Sequence, residues 1–90
     1  MRISETKKDK ISEQILAFLY SISPKLVFNS YIAQEIARDE EFTKMLLLKL
    51  KEKKLVMEVN KNPQGIPYIK RSRWKISDAA YEAYAQHQSQ

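Results

Sequence analysis

Ninety residues with a net charge of +5, 43% apolar and 30% charged content, one glycine and no cysteine leave room for one small globular domain and exclude two. The missing cysteines rule out disulfides, thiolate zinc sites and cysteine nucleophiles together, and they fit a reducing compartment. No apolar run approaches the ~20 residues of a membrane span, and the opening MRISETKKDK lacks the apolar segment of a secretory signal, so the chain reads as a cytoplasmic protein.

Ile11, Ile15, Phe18, Leu19 and Ile22 recur at helical spacing, with Leu16 beside them, and predict an amphipathic helix over residues 7–22. Ser23-Pro24 stops it. KLVF (25–28) is a short extended run. Asn29 or Ser30 can cap a second helix, SYIAQEIA, whose apolar face is Ile32, Ala33 and Ile36. Asp39 can cap a third helix over about 40–53. The period then changes. LVMEVN (55–60) is strand-like, and KNPQG (61–65) is a turn in which Pro63 presets φ and Gly65 accepts positive φ. IPYIKRSRWKI (66–76) is the returning strand of a hairpin. Alternation puts Tyr68, Trp74 and Ile76 on one side and Ile69, Arg71, Arg73 and Lys75 on the other. Ser77 or Asp78 can cap a last helix, DAAYEAYAQHQ, with Tyr81, Tyr84 and Ala85 at helical spacing. Residues 1–90 read as a single domain, with about six residues at the start and three at the end frayed.

The charge is unevenly spread. Residues 1–43 carry 6 Lys/Arg and 7 Asp/Glu, residues 44–75 carry 10 and 2, and residues 76–90 carry none and 2. All the excess positive charge therefore lies between residues 44 and 75. A block of this kind suits a polyanion such as nucleic acid, and it also suits a lysine-rich solvated face.

The interior segment IAQEIARDEEFTKMLLLKLKEKKLV has a spacing of its own: Ile32-Ala33, Ile36, a tight junction, then Leu46/Leu47, Leu50 and Leu55-Val56. It resembles the helix-turn-helix of winged-helix transcriptional regulators of the small MarR- and ArsR-like type frequent in archaea. The ending RWKISDAAYEAY is similar to the way a wing strand runs into the final helix in that group. The resemblance covers roughly residues 8–86. It implies an α+β, mostly helical fold: a winged helix-turn-helix with a two-stranded wing and a C-terminal helix. It also implies double-stranded DNA as partner, with the third helix in the major groove and the wing (60–67) on the backbone, and a homodimer formed through terminal helices. Several positions depart from the pattern. Ala37 and Lys54 stand where glycine is usual, Arg38 where an apolar residue is usual, and Phe42 and Met45 where small polar residues or arginine often face DNA.

Met45-Leu46-Leu47-Leu48 poses the sharpest question, because successive helical residues rotate by ~100° and cannot all face one core. Taking Thr43, Leu46, Leu47 and Leu50 as the core direction leaves Glu41, Met45, Leu48 and Glu52 pointing away and Lys49 on a flank. Taking the apolar residues alone puts Phe42 and Leu46 deepest, Met45 at the boundary, and half-buries Lys49, a costly place for an ammonium. Both choices expose Leu48 and leave Lys44 and Lys51 near it. The outer face formed by Glu41, Phe42, Met45 and Leu48 can be ordinary surface, a reader of thymine methyls, or an apolar patch for a protein partner. Glu40 and Glu41 suit a helix N-terminus and repel phosphate.

Cations that can hold phosphate are Lys44 and Lys49 on the third helix and Lys61, Lys70, Arg71, Arg73 and Lys75 on the wing. The same charges can protect an edge strand from aggregation. Trp74 is expected in the core beneath the hairpin. The dimer interface is expected at Tyr81, Tyr84 and Ala85, with Ile3 or Ile11 extending the first helix toward the partner; the same stripe can instead pack on its own domain. His87 is the only histidine and is expected to be exposed. No spacing suggests a metal site, a phosphate-binding loop or a nucleophile, so no cofactor is implied and the chain does not read as an enzyme.

Overall fold

The computed structural model describes residues 4–60 and 72–88, with side chains up to residue 86. The first helix, α1, runs Glu5–Ile22 and starts two residues before the expected 7, because Ser4 caps it: the Ser4 hydroxyl accepts from the Lys7 backbone N–H at 3.2 Å. Its buried residues are Ile11, Ile15, Leu16 and Leu19, a stripe at helical spacing. Ile11 lies inside the core, so it does not extend α1 toward a partner as expected; Ile3 lies outside the described residues. The helix ends where Ser23 N–H donates to the Tyr20 carbonyl, just before Pro24.

Strand β1 is Val27–Phe28, and helix α2, Asn29–Glu35, follows without a linker. Neither Asn29 nor Ser30 caps α2. The cap position is Phe28, whose extended backbone has no side-chain capping bond. The Asn29 amide instead donates to the Glu40 carbonyl at 2.9 Å, which ties the start of α2 to the start of the next helix. The reason is that β1 holds the chain extended through Phe28, so the helix begins one residue sooner than the capping pattern suggests.

Helix α3 is Glu40–Glu52, and Asp39 caps it as expected, its carboxylate accepting from the N–H groups of Glu41 and Phe42. Strands β2 (Val56–Val59) and β3 (Arg73–Ile76) form the described part of the hairpin; the turn over 61–65 and the strand residues 66–71 fall outside the described residues. The sheet has three strands in the order β1-β3-β2, all antiparallel, with Val27 opposite Trp74, Val56 opposite Ile76 and Glu58 opposite Trp74. The expected two-stranded wing therefore gains a third strand at its base, because the short extended run at Val27–Phe28 pairs with β3. Helix α4 is Asp78–Gln88. Of its two candidate caps it is Ser77 that acts: the hydroxyl accepts from Ala80 N–H and the carbonyl from Tyr81 N–H.

The core gathers Ile11, Ile15 and Leu19 of α1, Ile32 of α2, Leu46, Leu47 and Leu50 of α3, and Val56, Trp74 and Ile76 of the sheet. Trp74 is 1% exposed, which places it under the hairpin as expected. Among the described residues no helix is long and apolar enough to cross a membrane.

Candidate nucleic-acid interface

Helices α2 and α3 form a compact pair around a four-residue junction, Ile36–Asp39. Ala37 takes a left-handed backbone (φ 56°), Arg38 N–H donates to the Ala33 carbonyl at 2.9 Å, and Ala37 N–H donates to the Gln34 carbonyl at 3.2 Å. These two bonds close the end of α2 as a Schellman cap. Asp39 then opens α3 at once, and Asn29 bridges the two helix starts. The junction thus fixes how α3 lies across α2 and which of its faces is left outside.

The outer face of α3 follows the first of the two expected orientations. Thr43, Leu46, Leu47 and Leu50 are buried. Thr43 is 0% exposed and its hydroxyl donates back to the Asp39 carbonyl at 2.8 Å. Glu41, Lys44, Lys49, Lys51 and Glu52 are exposed, and Leu48 is 41% exposed. Phe42 and Met45 are half-buried and pack against the core. Met45 therefore does not join Leu48 on the outside, because it sits at the seam where α3 meets its neighbours. Phe42 is not among the deepest residues either, so the orientation read from apolar residues alone fails. The outer face is a lysine-flanked leucine rather than a broad apolar patch.

The sheet separates its charges by face. Trp74, Ile76 and Val56 point into the core, and Glu58, opposite Trp74, points the same way and reaches α3. Alternation puts Arg73, Lys75 and their partners Val59 and Met57 on the reverse face, away from α3. Arg73 is half-buried, with its guanidinium 5.3 Å from the centre of the Phe28 ring, a cation–π distance. The described wing cations and the lysines of α3 thus occupy different surfaces. Lys61, Lys70 and Arg71, and the wing beyond Asn60, lie outside the described residues.

Among the described residues one ion pair joins α3 to the sheet. The Lys51 ammonium lies 2.7 Å from a Glu58 carboxylate oxygen. The Lys51 hydrogen bond, with a second bond from Ser72, holds the Glu58 carboxyl below its ordinary range against the opposing effect of burial; the charges of Lys51 and Lys44 act in the same direction. Glu58 is not among the site residues expected from the sequence. A signal was available: with Trp74 placed inward, the hairpin register makes residue 58 an inward position, and a carboxylate there needs a partner. Which lysine supplies it depends on how α3 crosses the sheet, which alternation does not reveal.

At the other end of the domain, Tyr81 and Tyr84 of α4 lie against Tyr20 of α1, with ring centres 4.9 and 5.4 Å apart. The Tyr84 hydroxyl donates to the Glu13 carbonyl at 3.4 Å, and burial, with the nearby Glu13 charge, raises its pKa. Tyr84 and Ala85 are half-buried, and Tyr81 is 42% exposed. The side chain of His87 lies outside the described residues.

The sequence matches no protein-family model, and no curated protein matches it. Solved structures do. The S. aureus MepR–DNA complex superposes with a TM-score of 0.75 at 19% identity, over 93% of this chain and 66% of that one. MepR described as a transcription regulator of the S. aureus multidrug efflux pump MepA gives 0.70 at 18%, over 93% and 64%. A variant of Lactococcus lactis ZitR gives 0.69 at 18%, over 99% and 56%. The chain spans between 54% and 66% of the MepR and ZitR chains it matches. At this identity the likeness is one of fold. The fold is the winged helix-turn-helix expected from the sequence.

Proposed function

We propose that this chain binds double-stranded DNA as a dimeric transcriptional regulator, with α3 in the major groove and the wing over 60–67 on the backbone. The observation that carries the reading is the outer face of α3: Lys44 and Lys49 stand exposed on either side of Leu48, on a helix whose opposite face is locked into the core. MepR, which shares the fold, has been seen bound to DNA. In this reading Lys44 and Lys49 grip phosphates, with Lys61 and Lys70 on the wing, while Arg71 goes by alternation with Arg73 and Lys75. Leu48 and Glu41 face the base edges, while Phe42 and Met45 hold the helix edge against the domain. Arg73 and Lys75 contribute to the general positive field from the reverse face of the sheet. The dimer forms through α4 around Tyr81, Tyr84 and Ala85.

The test is fluorescence anisotropy of labelled random duplex DNA from about 50 to 200 mM salt, for wild type and Lys44→Ala/Lys49→Ala. Wild type is expected to bind with a steep salt slope, and the double variant more weakly with a slope shallower by about two. No binding by wild type at the lowest salt overturns the reading. The competing reading, a protein-assembly module using Phe42, Met45 and Leu48, draws on the exposure of Leu48. It is weakened by the half-burial of the other two, which leaves little apolar area to bury. Leu48→Ala separates the two readings, since it removes the apolar contact that an assembly surface needs and adds no charge to a helix held on DNA mainly by backbone contacts.

A further inference from the structure

Glu58 is an anion placed where an apolar side chain would continue the packing of Val56, Trp74 and Ile76. Its side chain is 19% exposed, against 50% for Lys51, which reaches down from α3 to meet it at 2.7 Å. Ser72 at the base of the wing hydrogen-bonds the same carboxylate, and Lys44 is the next cation within electrostatic reach. The other exposed lysines of α3, Lys44 and Lys49, have no carboxylate within ion-pair distance among the described residues. Lys51 is thus the α3 cation already matched by an anion of the same domain.

A carboxylate and a phosphodiester offer an ammonium the same thing: one negative charge shared by oxygens at hydrogen-bond distance. An exposed pair of this kind adds little to stability, so its main consequence lies in what it does to the charge of the surface. We propose that Glu58 is a built-in competitor for the DNA backbone, occupying Lys51 so that the α3 surface engages fewer phosphates than its lysine content permits. The effect is to hold down sequence-independent affinity, which grows with every phosphate neutralised, and to leave discrimination to the rest of the α3 face. Lys51 is then the residue whose release converts weak binding into strong binding. This inference rests on the DNA-binding reading above.

The test is a double-mutant cycle with Glu58→Gln and Lys51→Ala, read as the salt dependence of random-duplex affinity. Gln keeps the size of Glu58 and one acceptor oxygen but removes the charge that holds Lys51, and Glu58→Ala, which removes the acceptors as well, serves as a second route to the same release. Thermal melts followed by circular dichroism establish that each variant is folded. Glu58→Gln is expected to bind about three- to tenfold more tightly at low salt, with a slope steeper by about 0.9, the increment for one added phosphate contact. Lys51→Ala alone is expected to leave the slope unchanged, and Lys51→Ala/Glu58→Gln to match Lys51→Ala. If the gain from Glu58→Gln survives in the Lys51→Ala background, it reflects the general field and not competition for Lys51, and the proposal fails. It fails equally if wild type binds and neither Glu58 variant binds more tightly, which leaves the DNA-binding reading standing. If wild type and both Glu58 variants fail to bind at the lowest salt, both fall.

Discussion

Ala37 and Lys54 do the same job at the ends of α2 and α3. Each adopts the left-handed backbone, with φ of 56° and 62°, and each follows the C-cap residue of its helix, Ile36 or Lys53, in a Schellman cap. Arg38 N–H reaches the Ala33 carbonyl in one, and Leu55 N–H reaches the Leu50 carbonyl in the other, both at 2.9 Å. These are the two positions where the related pattern has glycine and this sequence does not. The geometry has been kept without the residue that suits it.

A side chain bearing Cβ in this conformation costs ~1–2 kcal/mol, while glycine adds ~0.4–1 kcal/mol of entropy to the unfolded chain. Ala37→Gly and Lys54→Gly are therefore each expected to stabilise the fold by about 0.5–1 kcal/mol, Lys54→Gly toward the lower end because it loses a cation at a helix C-terminus. The sites lie at opposite ends of α3, so the gains should add. Urea unfolding followed by circular dichroism measures both; a lower midpoint in either variant contradicts the account of the caps.

Leu47 and Leu48 are neighbours in sequence with opposite fates. Leu47 is fully buried between α3 and the core, and Leu48 is among the most exposed apolar residues described. Leu47→Ala is expected to cost ~2–5 kcal/mol, and Leu48→Ala no more than ~0.5 kcal/mol. Equal losses in urea unfolding would mean that α3 is rotated from the orientation found here.

Helix existence was legible because the apolar spacing of Ile11, Ile15 and Leu19, of Ile32 and Ala33, and of Leu46, Leu47 and Leu50 leaves only one face to bury. Asp39 and Ser77 were legible as caps because their side chains have donors within reach and nothing else to do. Asn29 was misread for the opposite reason. Its amide finds the Glu40 carbonyl, eleven residues away, and no local pattern reports a bond between two helix starts. Met45 lies half-buried rather than outside, because a helical wheel gives direction but not the depth of the neighbouring surface. Arg73 and Lys75 were assigned correctly to a shared strand face, yet their separation from α3 emerges only when Glu58, on the other face, is seen to reach Lys51. The pairing of β1 with β3 belongs to the same class of facts. Two residues of extended chain carry no signal of which edge they will join.

Tyr81 and Tyr84 make a graded test of the proposed dimer. Both rings lie on Tyr20 of their own chain, but Tyr81 keeps 42% of its surface exposed while Tyr84 is half-buried and bonded to Glu13. Tyr81→Glu is expected to convert a dimer into a folded monomer, with its thermal midpoint lowered by only a few degrees, about the effect of 1 kcal/mol in a domain of this size. Analytical ultracentrifugation reads the mass and circular dichroism the midpoint. A wild-type protein that sediments as a monomer at tens of micromolar would remove this interface from the proposal.

The pH dependence of stability should carry the mark of Glu58. The hydrogen bond from Lys51, then that from Ser72, lowers its pKa in the folded protein, with burial acting the other way. A folded-state pKa below the unfolded one means that the unfolded chain takes up the proton first as acid is added. The pair's contribution is therefore present above the ordinary glutamate value of ~4.3 and is lost as pH falls through that value and on through the lowered one. Because Lys51 is half open to solvent, the contribution is expected to be no more than ~1 kcal/mol. Urea midpoints measured from neutral pH down into that window should fall for wild type more steeply than for Glu58→Gln, and the two curves should converge at the acid end. Added salt should narrow the gap at neutral pH, since screening weakens the same pair. Parallel curves across the whole range would mean that the carboxylate of Glu58 is matched as well in the unfolded chain as it is by Lys51 in the fold.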